Sequence, residues 1–121
     1  MQDLSPSPDL TSDNTCNDDC PVALAASILD GKWTTLIIRE LLPGTKRYSE
    51  LMRGLPGISP KMLAARLTLL QDNHIINKKI YPCVPPKTEY TLTPLGRELE
   101  SLIVAMANFG ISMLATQTQS K

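Results

Sequence analysis

The stretch Gly57-Ile58-Ser59-Pro60-Lys61-Met62-Leu63-Ala64-Ala65-Arg66-Leu67-Thr68-Leu69-Leu70 decides the fold. Ser59 offers an oxygen to the N–H groups left unpaired at a helix start. Pro60 takes the first helical position, where its missing N–H costs nothing. Leu63, Leu67 and Leu70 follow at i, i+4 and i+7, so this side of the helix turns inward. Upstream, a short helical stretch from about Ser49, with Tyr48, Leu51 and Leu55 apolar, ends in the turn Gly54-Leu55-Pro56-Gly57. A short helix, a tight turn and a capped helix form a helix-turn-helix.

Downstream, Ile75 to Tyr81 forms a plausible strand. After Pro82, Pro85 and Pro86, the residues Thr88, Tyr90 and Leu92 alternate with polar neighbours through Lys87–Leu92. The pair makes a two-stranded ribbon with a long tip, the wing of a winged helix-turn-helix. Thr93-Pro94 repeats the cap-plus-proline device and opens a long final helix. Upstream, one helix begins at Pro21, carries Val22, Leu24, Ala25, Ile28 and Leu29, and stops at Asp30-Gly31. A second begins near Lys32, with Trp33, Leu36, Ile37, Glu40 and Leu41 along one face. The expected fold class is mainly α with a small β wing.

Length and composition fit that picture. The 121 residues suffice for one domain. Aromatics are only 4%, so Leu, Ile, Val, Met and Ala must build the core, a palette suited to packed helices. Residues 1–18 are rich in Ser, Pro, Asp, Asn and Thr and are expected to form a flexible acidic arm. The winged domain is expected over 19–115, with a flexible tail over 116–121. No apolar run is expected to reach the roughly 18 residues of a membrane span. No Lys or Arg precedes an apolar stretch at the N-terminus, which argues against a secretory signal and for a cytoplasmic protein.

The zero net charge is unevenly spread. Residues 1–30 hold six acids and no base, residues 31–97 hold eleven bases against four acids, and the remainder sums to −1. A basic body behind an acidic arm favours an anionic partner, nucleic acid first among them, over a merely solvated surface. On the helix begun at Ser59, the residues expected to face outward are Lys61, Met62, Ala65 and Arg66, with Leu69 beside them. Arg66 offers a fork to a guanine edge, Lys61 reaches phosphate or base, and Ala65 permits close approach. Ser59 and the helix start favour a phosphate. Lys78, Lys79 and Lys87 flank the hairpin tip, where they meet DNA backbone or simply block edge-to-edge strand pairing.

The last helix places Leu95, Leu99, Leu102, Met106, Phe109 and Met113 on a heptad seam, widened by Ile103, Val104 and Leu114. Such a stripe is too broad for one small domain to cover. It predicts a homodimer through this helix, assisted by the first one, with two reading helices about 34 Å apart on a pseudo-palindromic site.

Several motifs occur in order: Cys20-Pro21, Gly31-Lys32-Trp33, Arg39-Glu40-Leu41, Tyr48-Ser49-Glu50-Leu51, Gly57-Ile58-Ser59-Pro60-Lys61, Pro85-Pro86-Lys87-Thr88-Glu89-Tyr90 and Thr93-Pro94-Leu95-Gly96. Over about residues 20 to 112 the chain resembles the HxlR family of bacterial winged helix-turn-helix transcription regulators, relatives of the MarR-like proteins. The resemblance implies a dimeric DNA-binding repressor or activator without enzymatic activity or cofactor. It implies that the Ser59 helix reads the operator and that Lys87 takes the basic wing position, where the family often has Arg. It also implies redox or electrophile sensing at the cysteine corresponding to Cys20, by an oxidant or small-molecule effector.

There are three cysteines, an odd count that argues against a disulfide framework. Cys20 lies at a helix start, which favours its thiolate, while Asp18 and Asp19 oppose it. Cys16, Cys83 and the partner subunit are its candidate disulfide partners; an inert packing role for Cys20 is the alternative. A zinc site from Cys16, Cys20 and His74 matches no common spacing. One histidine and no nucleophile or phosphate-loop motif argue against an enzyme. The remaining rival is a winged helix that binds protein rather than DNA.

Overall fold

The computed structural model describes residues 20–119, with side chains through residue 117. The expected acidic arm, Cys16 and the last two residues lie outside that range. The chain divides at Gly31 into two compact units. In the first, Cys20 is the N-cap of α1 (Pro21–Ile28), with Pro21 in the opening turn. Val22 and Leu24 on this helix are more than half exposed.

The second unit runs α2 (Lys32–Leu41), β1 (Lys46–Arg47), α3 (Tyr48–Gly54), α4 (Pro60–Asp72), β2 (Ile76–Tyr81), β3 (Lys87–Leu92), α5 (Pro94–Arg97) and α6 (Glu100–Gln119). Its core joins Ile37, Ile38 and Leu41 of α2, Leu51 and Leu55 around α3, and Leu63, Leu67 and Leu70 of α4. Ile75, Ile76, Tyr90 and Leu92 complete it from the sheet. The α2 face is therefore rotated slightly from the expected one: Thr34 and Ile38 are buried, whereas Trp33 and Leu36 are half-buried.

The sheet has three strands in the order β1-β3-β2, all antiparallel, where the sequence suggested two. Lys46 pairs with Tyr90 and Arg47 with Glu89; on the other side the register runs from Ile76–Leu92 to Tyr81–Lys87. A two-residue strand carries no alternation to recognise. The hydroxyls of Thr45 and Thr91 meet at 2.8 Å just beside the added strand.

Thr93 fastens the wing to the last helices. Its backbone N–H donates to the Ile75 carbonyl (2.9 Å), and its hydroxyl donates to the His74 carbonyl (2.6 Å) and accepts from the Gly96 N–H (3.0 Å). Gly96 is buried against the Ile75 carbonyl, and a Cβ there would press on it and on Leu92. The corner between α4 and β2 turns through His74, whose φ of 61° is left-handed.

The helix opened by Thr93-Pro94 is not uniform. Glu98 and Leu99 donate to Leu95 and Gly96, three residues back, so the helix tightens between α5 and α6. It then continues to Gln119, past the point at Thr116 where a flexible tail was expected. The uncharged run after Glu100 carries it that far. One further expectation needs correction: Pro94–Gln117, with a mean hydropathy of 1.5 in its most apolar window, is long and apolar enough to cross a membrane by length and composition. Most of its apolar side chains are open rather than packed: Leu95, Leu102, Val104, Met106, Phe109, Ile111, Met113 and Leu114 are exposed, whereas Leu99 and Ile103 are half-buried.

Candidate nucleic-acid interface

The helix-turn-helix is built from α3, the turn 55–59 and α4. Ser59 caps α4 by accepting the Met62 N–H at 3.0 Å, with Pro60 beside it in the first turn. Leu63, Leu67 and Leu70 are fully or nearly fully buried. At about 100° per residue, the direction opposite these leucines belongs to Lys61, Ala65, Thr68 and Asp72. All four are exposed, as is Ala64.

Two residues expected to point outward lie on the flank instead. Arg66 falls about 60° from the centre of the leucine stripe and is half-buried, as is Met62. The Arg66 Nε is covered and has no hydrogen-bond partner, so only the far end of its guanidinium remains for a ligand. Thr68 takes the outward place. Its hydroxyl donates or accepts and its methyl can meet a thymine methyl. The same angular arithmetic applied to the sequence identifies it.

The wing divides its lysines between two faces, because successive strand residues point to opposite sides. Lys79, Tyr81, Lys87 and Glu89 share the outer face; Lys78 and Ile80 lie on the other, with Tyr90 and Thr88. On the outer face the Tyr81 ring gathers two cations, with Lys87 Nζ 4.7 Å and Lys79 Nζ 5.0 Å from its centroid. The Tyr81 hydroxyl donates to Glu89 at 3.0 Å. Among the described residues, no carboxylate lies within ion-pair distance of Arg47, Lys61, Lys78, Lys79 or Lys87. These charges are open to an outside partner.

Arg47, placed by β1 at the entrance to α3, is exposed and was not singled out in the sequence. Its backbone N–H donates to Glu50 at 2.8 Å, which fixes the start of α3. Of the cysteines, Cys20 is buried at 9% exposure. Cys83 is exposed at the wing tip, its thiol donating to the Pro85 carbonyl at 3.1 Å. Burial pushes the Tyr90 phenol above its ordinary value, and Tyr48 adds to the shift.

Comparison with known proteins gives a consistent answer. Residues 28–118 match the HxlR-like helix-turn-helix family. An uncharacterized HTH-type transcriptional regulator of Synechocystis, sll1512, is 40% identical over 99 residues, covering 82% of this chain and 73% of the relative. A MarR-family transcriptional regulator structure from Porphyromonas gingivalis W83 superposes with a TM-score of 0.76 at 46% identity, covering 78% of this chain and 93% of that one. The redox regulator HypR is similar in its reduced form (TM-score 0.76, 33% identity, 82% and 98% covered) and in its oxidized form (0.72, 36%, 77% and 96%). A capped helix in a helix-turn-helix, a three-stranded wing and a family match over residues 28–118 lead to one conclusion: the chain belongs to the HxlR-like helix-turn-helix family of transcription regulators.

Proposed function

We propose that this regulator binds duplex DNA as a homodimer on a pseudo-palindromic operator, with α4 in the major groove and the wing over the backbone. The observation that carries the reading is the outward face of α4, where Lys61, Ala65 and Thr68, with Asp72 at the helix end, are exposed above an inward row of leucines. Short and hydrogen-bonding groups let a helix approach base edges that bulky ones would hold away. Lys79 and Lys87 on one face of the wing and Lys78 on the other supply salt-sensitive affinity for phosphates. The partner copy is supported by α6, whose Leu102, Val104, Met106, Phe109, Ile111, Met113 and Leu114 stay 38–67% exposed in a single chain. An apolar surface of that extent calls for a cover, and the same helix of a second chain provides one by two-fold symmetry.

Selection of bound sequences from random DNA tests the reading. A recovered palindrome is the expected result, with Lys61→Ala or Thr68→Ala costing about 1–3 kcal/mol and relaxing one base position. Failure to bind any duplex at low salt favours a protein-interaction module instead.

The similarity to HypR, a redox regulator solved in oxidized and reduced forms, supports a redox response, which the helix-start position assigns to Cys20 in this reading. Oxidation to a disulfide with Cys83, Cys16 or the partner subunit changes operator affinity in this reading. Diamide acts on wild type and spares Cys20→Ser; equal responses in the two remove Cys20 as the sensor.

A further inference from the structure

An open cleft of about 310 Å³ lies where the entrance to α3 meets the wing, lined by Arg47, Tyr48, Ser49, Pro86, Lys87 and Thr88. It exists because β1 pairs with β3. Arg47 stands opposite Glu89, and Lys87 lies two residues along β3 on the same face. Two cations from separate parts of the motif therefore border one space. Two carboxylates lie nearby, Glu50 accepting from the Arg47 backbone N–H and Glu89 from the Tyr81 hydroxyl, and neither is within ion-pair distance of Arg47 or Lys87. Lys87 rests over the Tyr81 ring, which orders its stem without cancelling its charge. Ser49, Tyr48 and Thr88 add hydroxyl donors.

We propose that this cleft seats one backbone phosphate of bound duplex DNA, held jointly by Arg47 from the helix-turn-helix and Lys87 from the wing. The assignment rests on the DNA-binding reading above and adds to it Arg47, which that reading does not use, as joint holder of the phosphate that Lys87 meets. Arg supplies a planar fork suited to two phosphate oxygens, and Lys a compact charge on a third. The cleft is too open to enclose a small ligand, which normally loses most of its surface to its pocket. A phosphate projecting from a polymer needs no such enclosure. Held at both ends, it fixes the wing relative to α3, setting register without reading sequence.

The test measures binding of the full chain to a random-sequence duplex across a salt series. It compares wild type with Arg47→Ala, Lys87→Ala and the double variant, with the fold checked by circular dichroism. One shared phosphate per cleft, and so two per bound homodimer, predicts that the double variant lowers the log–log salt slope by about two units. A loss of about four units means two separate phosphates in each subunit, and an unchanged slope means none; either overturns the shared seat. Wild type without salt-dependent binding removes the DNA reading itself, a distinct outcome. Amide resonances of Ser49 and Thr88 separate the sources of the oxyanion. Shifts with duplex that vanish in the double variant support the proposal; shifts with inorganic phosphate but not with duplex overturn it.

Discussion

Replacing Phe109 gives the sharpest test of how this chain assembles. Phe109 lies midway along α6 and is 67% exposed. A phenylalanine buries roughly 200 Å² when fully covered, so about 130 Å² remains open on each copy. At ~25 cal/mol per Å², full cover stabilises by ~3 kcal/mol per copy, and twice that in a two-fold pair. Halving that figure to allow for incomplete cover and side-chain ordering leaves ~3 kcal/mol per dimer. Phe109→Ala should therefore raise the dimer Kd by roughly a hundredfold. Phe109→Asp should raise it further, because a carboxylate would be buried without a partner. Sedimentation equilibrium over a wide concentration range measures the change, and circular dichroism verifies that the helix persists. Val84 at the wing tip is 99% exposed, so Val84→Ala should leave assembly as it is. If both Phe109 variants associate as tightly as wild type, α6 is not the interface.

Three further outcomes follow from the fold. Gly96→Ala pushes a methyl against the Ile75 carbonyl and Leu92, and should cost about 1–3 kcal/mol in a denaturant titration; an unchanged midpoint refutes the tight fit. Ser59→Ala removes the acceptor for the Met62 N–H and should cost ~1 kcal/mol, whereas Ser59→Asp should retain most of the capping. Tyr90 keeps its proton more firmly when folded, because it is buried, than in the unfolded chain at its ordinary 10.0. Its contribution is complete below about pH 10 and is lost as pH rises through the higher folded value. Thermal unfolding across that window should show the fall, and Tyr90→Phe should lessen it; an identical fall in both proteins would exclude Tyr90 as its source.

The helix-turn-helix was legible in the sequence because its signals are local. Ser59, Pro60 and the leucines at i, i+4 and i+7 specify a capped helix and its buried side within one segment, and Thr93-Pro94 does the same for the next. The positions of Arg66 and Thr68 were also within reach, since they follow from the helical step alone. Splitting Lys78 from Lys79 required only the alternation of a strand. What stayed hidden depends on pairing between distant segments. β1 has no periodicity of its own, and Arg47 borders the same cleft as Lys87 only because β1 joins β3. The continuation of α6 beyond Thr116 was masked by polar residues that resemble a tail in composition while extending a helix already nucleated.

The fastening of α5 has a mechanical consequence. Its four residues are tied to the base of the wing through Thr93 and Gly96, and to the end of α2 through the Arg97 Nη1 bond to the Leu42 carbonyl at 2.7 Å. That stub cannot shift without dragging the reading head along with it. The tightened turn at Glu98 and Leu99 lies just beyond the last of these ties. In the homodimer proposed above, a swing between the long helix and the helix-turn-helix that pivots there would alter the spacing of the two α4 helices while leaving each helix-turn-helix intact.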